Sequence, residues 1–393
     1  MAPMPPRREA PGAIPLVLHA AITGLRERHE VTLVTAFGDE PGEAEAIAEL
    51  QADGLAVHAV DRRQPAAPGA RWRRRARLAA AWARGRDPWR TIWFADPGIQ
   101  RVLAGLDGRS FDVVAVEDNS VAGFRLPDGV PSVLTEHEVR RPRPYDWHGG
   151  PRRTLGEADW HRWPAYERRV WRRYDRLQVF TARDAAHAAE IAPDLGESIV
   201  VNPFGVDAPE TGSVAEGTDR SLLFMGNFTH PPNRDAAEWL VREIMPELRS
   251  RVTGVSLTVV GGGAPVGFLA EVPADVHYAG EVPDAAPELA RAAVVVAPIR
   301  TGGGMRMKVL YALAGGKAVV TTTRGAEGLL LDGERPLVIA DDADEFAAQT
   351  AALLEDRAAR RALGEGARAF ARERHSPTAY ARRLEATYEA VLA

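Results

Sequence analysis

A chain of 393 residues exceeds what one hydrophobic core serves and predicts two domains of roughly 150–200 residues each. Its net charge of -5 at neutral pH excludes a generic nucleic-acid binder, so no nucleic-acid partner is expected. The absence of cysteine excludes disulfides, thiolate metal sites and cysteine nucleophiles, and no run of 18 apolar residues exists to span a membrane.

The opening MAPMPPRREAPGA has no apolar core. It reads as no signal peptide, so a cytoplasmic protein is expected. Pro5–Gly12 is a proline–glycine loop. Leu16–Arg28 reads as a helix and His29–Thr35 as a strand. Further strands are expected at Ala56–Val60, Thr91–Phe94, Phe111–Val116 and Ser132–Thr135. These are short apolar runs joined by helical segments, the pattern of parallel strands covered on both faces. Phe111–Val116 runs into Glu117–Asp118–Asn119. Polar groups there sit where open sheets bind ligands, or they cap a helix.

Between them, Arg71–Arg90 holds eight arginines, one aspartate, and Trp72, Trp82 and Trp89. Two readings stand: peripheral contact with an anionic membrane, and a solvated helix with arginine stems over apolar surface. His137 follows the Ser132–Thr135 strand, flanked by Glu136 and Glu138, either of which is placed to orient its ring. Residues 141–163 are aperiodic and long for a connection, as an acceptor-binding loop would be. Trp163–Arg176 has a helical pattern. Gln178–Thr181 is the next strand, and Thr181 and Asp184 have capping-box spacing. Ile199–Val201 closes this half.

Ala208–Arg220 is a polar linker. Ser221–Met225 is then a strand ending at Gly226–Asn227, with Asn233 placed to cap the helix Asp235–Leu248. Ser256–Val260 leads to Gly261, Gly262 and Gly263, and Val276–Gly280 leads into Glu281. Ala293–Ala297 feeds Gly302, Gly303 and Gly304. A helical pattern follows through Met307, Leu310, Tyr311 and Ala314, which Gly315–Gly316 stops before a strand at Val319. A glycine nest entering a helix N-terminus presents N–H groups to an anion. Arg306 and Lys308, in the first turn, are unfavourable for the helix alone and favourable beside an anion. The plain alternative is backbone geometry in a tight turn. Lys308 and Lys317 are the only lysines. Three helices end the chain, at Asp344–Glu355, Asp356–Arg374 and Pro377–Val391.

The segment GGGMRMKVLYALAGGKAVVTTTRGAEGL resembles the C-terminal domain of retaining GT-B glycosyltransferases, group 1 (family 4). Asn202-Pro-Phe-Gly-Val-Asp207 is similar to the family's crossover motif. Gly226, Pro232, Asn233, Trp239, Leu240 and Pro246 follow its next stretch. Where many members carry two glutamates, this chain has Gly303 and Tyr311. A phenol bonds a ribose hydroxyl but does not accept bidentately as a carboxylate does.

The resemblance implies an α/β fold, two doubly wound Rossmann-like domains facing across a cleft. The acceptor-side domain is expected over 1–203, the linker over 204–220 and the nucleotide-sugar domain over 221–375, with a helix over 376–393 crossing back. The family's first strand would fall on Met1–Met4, which makes it very short or places its start upstream. The implied activity moves a sugar from a nucleoside-diphosphate sugar to a hydroxyl acceptor, both small molecules, with no cofactor and no metal. Arg306 and Lys308 would hold the diphosphate and His137 would face the donor sugar. Gly226, Asn227, Gly261, Gly262, Gly302, Gly303, Gly304, Tyr311 and Glu327 would border the donor, and Gly12 the acceptor side. Some members dock at the inner membrane face through a basic helix, which Arg71–Arg90 would supply. A non-catalytic binding protein on the same scaffold is the competing reading. An oxidoreductase is weaker, because no G-x-G-x-x-G follows an N-terminal strand.

Overall fold

The computed structural model describes residues 1–8, 12–63, 67–139, 151–209, 219–264, 267–268, 272–282 and 284–393, with side chains at 151–153 left aside. The chain divides into two compact units. One comprises Met1–Arg7, Ala21–Asn202 and Ala381–Ala393; the other comprises Arg8–Ala20 and Pro203–Tyr380.

The first unit carries β1 (Thr32–Phe37), β2 (Ala56–Asp61), β3 (Val114–Glu117), β4 (Ser132–Glu136), β5 (Arg176–Val179) and β6 (Ile199–Val201). β1 pairs with β2, and the others form a sheet in the order β3-β4-β5-β6, every pair parallel. Met1 and Ala2 bridge β1 and β3. The Ala2 N–H donates to Val34 O (2.9 Å), the Glu117 N–H to Met1 O (2.9 Å), and the Met1 amino group to Ala115 O (2.6 Å). Val116, Leu134, Leu177, Val179 and Trp171 are buried together in the core beside these strands.

Two expectations change here. Thr91–Phe94 is not a strand but part of a helix, Trp89–Phe94, entered from extended Pro88. Three apolar residues after a threonine carry no period, so the pattern could not choose. Of the stretch 141–163 expected as an acceptor loop, 141–150 fall outside the described residues and Pro151–Trp160 is a helix, while the helix expected from Trp163 is present as Trp163–Trp171.

The second unit carries β7 (Ser221–Met225), β8 (Ser256–Val260), β9 (Val276–Gly280), β10 (Val294–Ala297), β11 (Ala318–Thr321) and β12 (Val338–Ile339). They form one parallel sheet in the order β12-β11-β10-β7-β8-β9. β12 has only two residues, too few for any pattern to reveal. All four residues of β10 and of β11 are buried, as strands covered by helices on both faces require. Phe224, Leu257, Val259, Val296 and Val320 lie in one core with Leu240 and Phe346. Each such side chain contributes about 1.5–3 kcal/mol by leaving water.

Chain order reverses between β7 and β10, where successive connections leave toward opposite edges of the sheet. Ligands of open α/β sheets bind outside the carboxyl ends of the strands at such a switch point.

Candidate functional site

Three glycine-rich loops leave the carboxyl ends of β7, β8 and β10. The first two are stitched together by backbone bonds: Gly226 N–H to Val260 O (2.9 Å) and Phe228 N–H to Gly262 O (2.8 Å). Gly261 holds φ at 148°, and a Cβ there would lie 1.7 Å from Gly226 O. Its carbonyl accepts from the Tyr278 hydroxyl (2.7 Å). Asn227 Oδ1 accepts from the Thr229 N–H (2.9 Å) and hydroxyl (2.6 Å), which fixes the turn after β7. On the β10 side, Gly302 holds φ at 88° and a Cβ would meet Pro232 at 2.7 Å. The glycines thus serve backbone approach, and they draw the β10 loop against the helix that follows β7.

That helix starts at Pro231 with His230 as N-cap, making no side-chain cap bond. Asn233 is therefore not the cap. It lies in the first turn, and its amide donates to Asn227 O (2.6 Å) while its Oδ1 accepts from the Lys308 ammonium. Lys308 is the second residue of the helix Met307–Ala314, most of whose residues are strong helix formers. That helix ends in paired bonds, Gly316 N–H to Leu313 O (2.9 Å) and Lys317 N–H to Ala312 O (3.1 Å), with Gly316 left-handed at φ 72°. The Lys308 nitrogen lies 5.0 Å from the centre of the buried Phe224 ring. Lys308 as a residue is half-buried. Burial first, and the Arg306 charge second, lower its pKa from 10.5 to about 7. Arg306 is itself buried, and its guanidinium folds back to donate to Gly303 O (2.6 Å) and Thr301 O (3.1 Å). It braces the loop and adds positive charge beside Lys308.

Val309, Leu310, Ala312 and Leu313 form the buried side of the Lys308 helix. Met307 and Tyr311 are half-buried and share the other face with Lys308. Tyr311 therefore lies one turn beyond the lysine on the same face. Glu327 pairs with Arg324 (2.8 Å). Lys317 is half-buried, and its ammonium donates to Ala290 O (2.7 Å) and Ala292 O (2.9 Å). It ties down the end of the helix Ala286–Arg291.

In the first unit, His137 lies just past β4, its ring edge-on to Phe180 at 5.0 Å between centroids. Neither flanking glutamate holds it. Its Nε2 meets Glu117 Oε2 at 3.0 Å, from the end of the neighbouring β3. The other two residues of the Glu117–Asn119 run are structural. Asp118 caps a short turn through the Ser120 N–H (2.9 Å), and Asn119 Oδ1 accepts from the Trp171 indole (3.0 Å). Thr181 caps its helix as the spacing predicts, accepting from the Asp184 N–H (3.0 Å). Gly12 is exposed at the entry to the helix Ala13–Leu25, on the stretch grouped with the second unit.

Sequence reasoning missed Glu117 as the partner of His137 and Phe224 as the floor under Lys308. The first is set by the parallel register that brings Glu117 beside Thr135, and the second by strand–helix packing. Neither leaves a local signal.

Residues 219–356 match the family described as "Glycosyl transferases group 1". No curated protein sequence matches the chain. Among solved structures, HepE of Anabaena in complex with UDP-glucose aligns at 14% identity over 99% of this chain and 98% of its own, with a TM-score of 0.63. A glycosyltransferase from Rickettsia africae aligns at 12% identity over 100% of this chain and 98% of its own, TM-score 0.62. Sucrose-phosphate synthase from Thermosynechococcus elongatus aligns at 16% over 92% and 99%, TM-score 0.60. The chain thus has the GT-B fold of two Rossmann-like units, and its second unit holds a group 1 glycosyl transferase domain.

Proposed function

We propose that this glycosyltransferase moves a sugar from a nucleoside-diphosphate sugar to a hydroxyl acceptor, with retention at the anomeric carbon. The carrying observation is Lys308 at the switch point, its ammonium held between Asn233 and the Phe224 ring and lowered in pKa by burial and by Arg306. A cation desolvated in this way costs free energy unless an anion shares the site. The diphosphate supplies that anion, and its charge grows as the glycosidic bond breaks. Contacts that tighten then lower the barrier. The acceptor oxygen bonds to the anomeric carbon as the bond to the phosphate oxygen breaks. The acceptor's proton passes to the departing diphosphate.

The test is a thermal-shift panel of nucleoside diphosphates. A ligand that binds only the folded state raises the melting temperature. At least one diphosphate is expected to do so, and a panel with no response would sink the donor reading. Binding without transfer to any hydroxyl acceptor would instead favour a non-catalytic protein on this scaffold. In the same assay Tyr311→Phe, which removes one hydroxyl on the Lys308 face, is expected to weaken nucleotide binding by about 0.5–1.5 kcal/mol. Unchanged affinity in titration calorimetry would assign the ring to packing alone.

A peripheral membrane contact is a second part of this reading. The helix Pro68–Arg84 has no buried residue, and Trp72 is 71% exposed among exposed arginines. Trp82 is not available in the same way: its indole donates to Asp159 (2.6 Å) and Arg162 stacks on its ring at 4.1 Å. Among the described residues no helix is long and apolar enough to cross a membrane. The protein is expected to co-sediment with phosphatidylglycerol vesicles and not with phosphatidylcholine vesicles. Trp72→Ala should lower the bound fraction severalfold, since an interfacial tryptophan is an anchor. Equal binding to both vesicle types would remove the proposal.

A further inference from the structure

We propose that Glu117 is a positioning residue, which holds His137 with Nε2 protonated so that Nδ1 accepts a hydrogen bond from a substrate hydroxyl. The inference rests on the transferase reading above for its substrate, and on a buried chain of hydrogen bonds in the first unit for its geometry.

The chain begins at Arg383, in the C-terminal helix Pro377–Leu392. The Arg383 Nε–H donates to Asn202 Oδ1 (3.0 Å), and Asn202 Nδ2 donates to Gln178 Oε1 (2.9 Å). Gln178 Nε2 then donates to Thr135 Oγ1 (3.2 Å), and the Thr135 hydroxyl donates to Glu117 Oε1 (3.0 Å). Asn202, Gln178, Thr135 and Glu117 are all buried. A guanidinium only donates, so its end of the chain fixes the sense of every link. With Asn202 Oδ1 facing Arg383, its amide nitrogen must face Gln178. The Gln178 nitrogen must in turn face Thr135, and the Thr135 proton is left for Glu117. The chain fixes Glu117 Oε1 as an acceptor, and as a carboxylate Glu117 accepts at Oε2 as well, from His137.

The consequence falls on the imidazole. Nε2 must carry the proton it gives to Glu117 (3.0 Å), and a neutral ring then offers Nδ1 as an acceptor. A sugar hydroxyl suits that role, because it can donate to nitrogen. The residue after Glu117 adds a second sign that this corner is constrained. Asp118 is buried and holds φ at 77°, a conformation that costs free energy and gathers at functional sites.

Two measurements test the proposal. The first needs no activity. Wild-type protein should show a downfield, slowly exchanging imidazole N–H resonance that disappears in His137→Gln. It should also disappear in Glu117→Ala, with the remaining spectrum dispersed. Should Glu117→Ala fold poorly, Thr135→Val is the second variant, and its resonance should shift. Persistence of the unshifted resonance in either variant overturns the positioning role. The second is a double-mutant cycle on transfer. Glu117→Ala should lower kcat about tenfold or more, as a misplaced reacting group does. UDP affinity should stay unchanged and Glu117→Asp should recover part of the loss. In a His137→Ala background the Glu117→Ala loss should vanish. A loss that adds in full would mean that Glu117 only supports the fold. No binding of any nucleoside diphosphate by wild type, with the resonance behaving as expected, would count against the donor reading and leave the ring's orientation standing.

Discussion

Lys308→Ala lowers transfer from a genuine donor by about 100-fold or more, the scale of removing one preorganised charge from a developing anion. The ammonium stands at the opening of its helix, between Asn233 and the Phe224 ring. Lys317→Ala should keep wild-type turnover, because that ammonium serves the carbonyls of Ala290 and Ala292. It is a control for rate and not for folding, since its removal strips two carbonyls of a charged donor. Equal losses in the two variants, measured as steady-state rates, would show that the phosphate site lies elsewhere.

Stability carries an independent mark of the same site. An exposed lysine would leave folding untouched, but burial and the Arg306 charge lower the Lys308 pKa from 10.5 to about 7. Below about pH 7 the group is charged in both states, and the burial cost is complete. Between pH 7 and 10.5 the unfolded chain holds a proton that the folded protein has released, so stability rises with pH across that window. Thermal melts of wild type should show this limb, and Lys308→Met should flatten it. Bound diphosphate should restore the proton. Titrations near pH 8 in buffers of different ionisation enthalpy should then report proton uptake approaching one per nucleotide. Uptake near zero would mean that the ammonium stays charged in the free protein or that the phosphates bind away from it.

Gly261→Ala is expected to abolish nucleotide binding and to lower the melting temperature by several degrees. The φ of 148° is costly for any L side chain, at about 1–3 kcal/mol, and the new Cβ would stand 1.7 Å from Gly226 O. The two loops cannot keep their bonds and admit that atom, so the turn after β7 must move away from the β8 loop. Gly267→Ala provides the comparison. Its φ of 81° carries similar strain, but among the described residues nothing lies within 4 Å of the added carbon. Gly267→Ala should lose some stability and keep nucleotide affinity. Full affinity in Gly261→Ala, measured by calorimetry, would show that close approach of these loops is not what shapes the site.

Much of this protein is written locally. The alternation of apolar runs and helical patterns specified parallel sheets on both sides of the 208–220 linker, because strands covered on both faces must read as unbroken apolar runs. β10 and β11 are such runs, and both are wholly buried. The glycine loops and Lys308 were legible because left-handed turns and a cation at a helix start each demand particular residue types. Thr181 as a cap is decided within three residues, and the structure keeps it. Thr91–Phe94 was not legible, since a short apolar run has no period to separate strand from helix. Register and burial settled the rest. Glu117, twenty positions before His137, becomes its partner only because β3 and β4 lie side by side with Glu117 opposite Thr135. Asn233 reads as a cap and instead receives Lys308, because Gly302 lets the β10 loop close on Pro232. Lys308 reads as an exposed charge and is a desolvated one, because Phe224 of β7 lies beneath it. Sequence chose the residue types that such a site requires. Tertiary packing decided which of them meet and how much water each retains, and those two quantities set the lysine's proton affinity and the histidine's orientation.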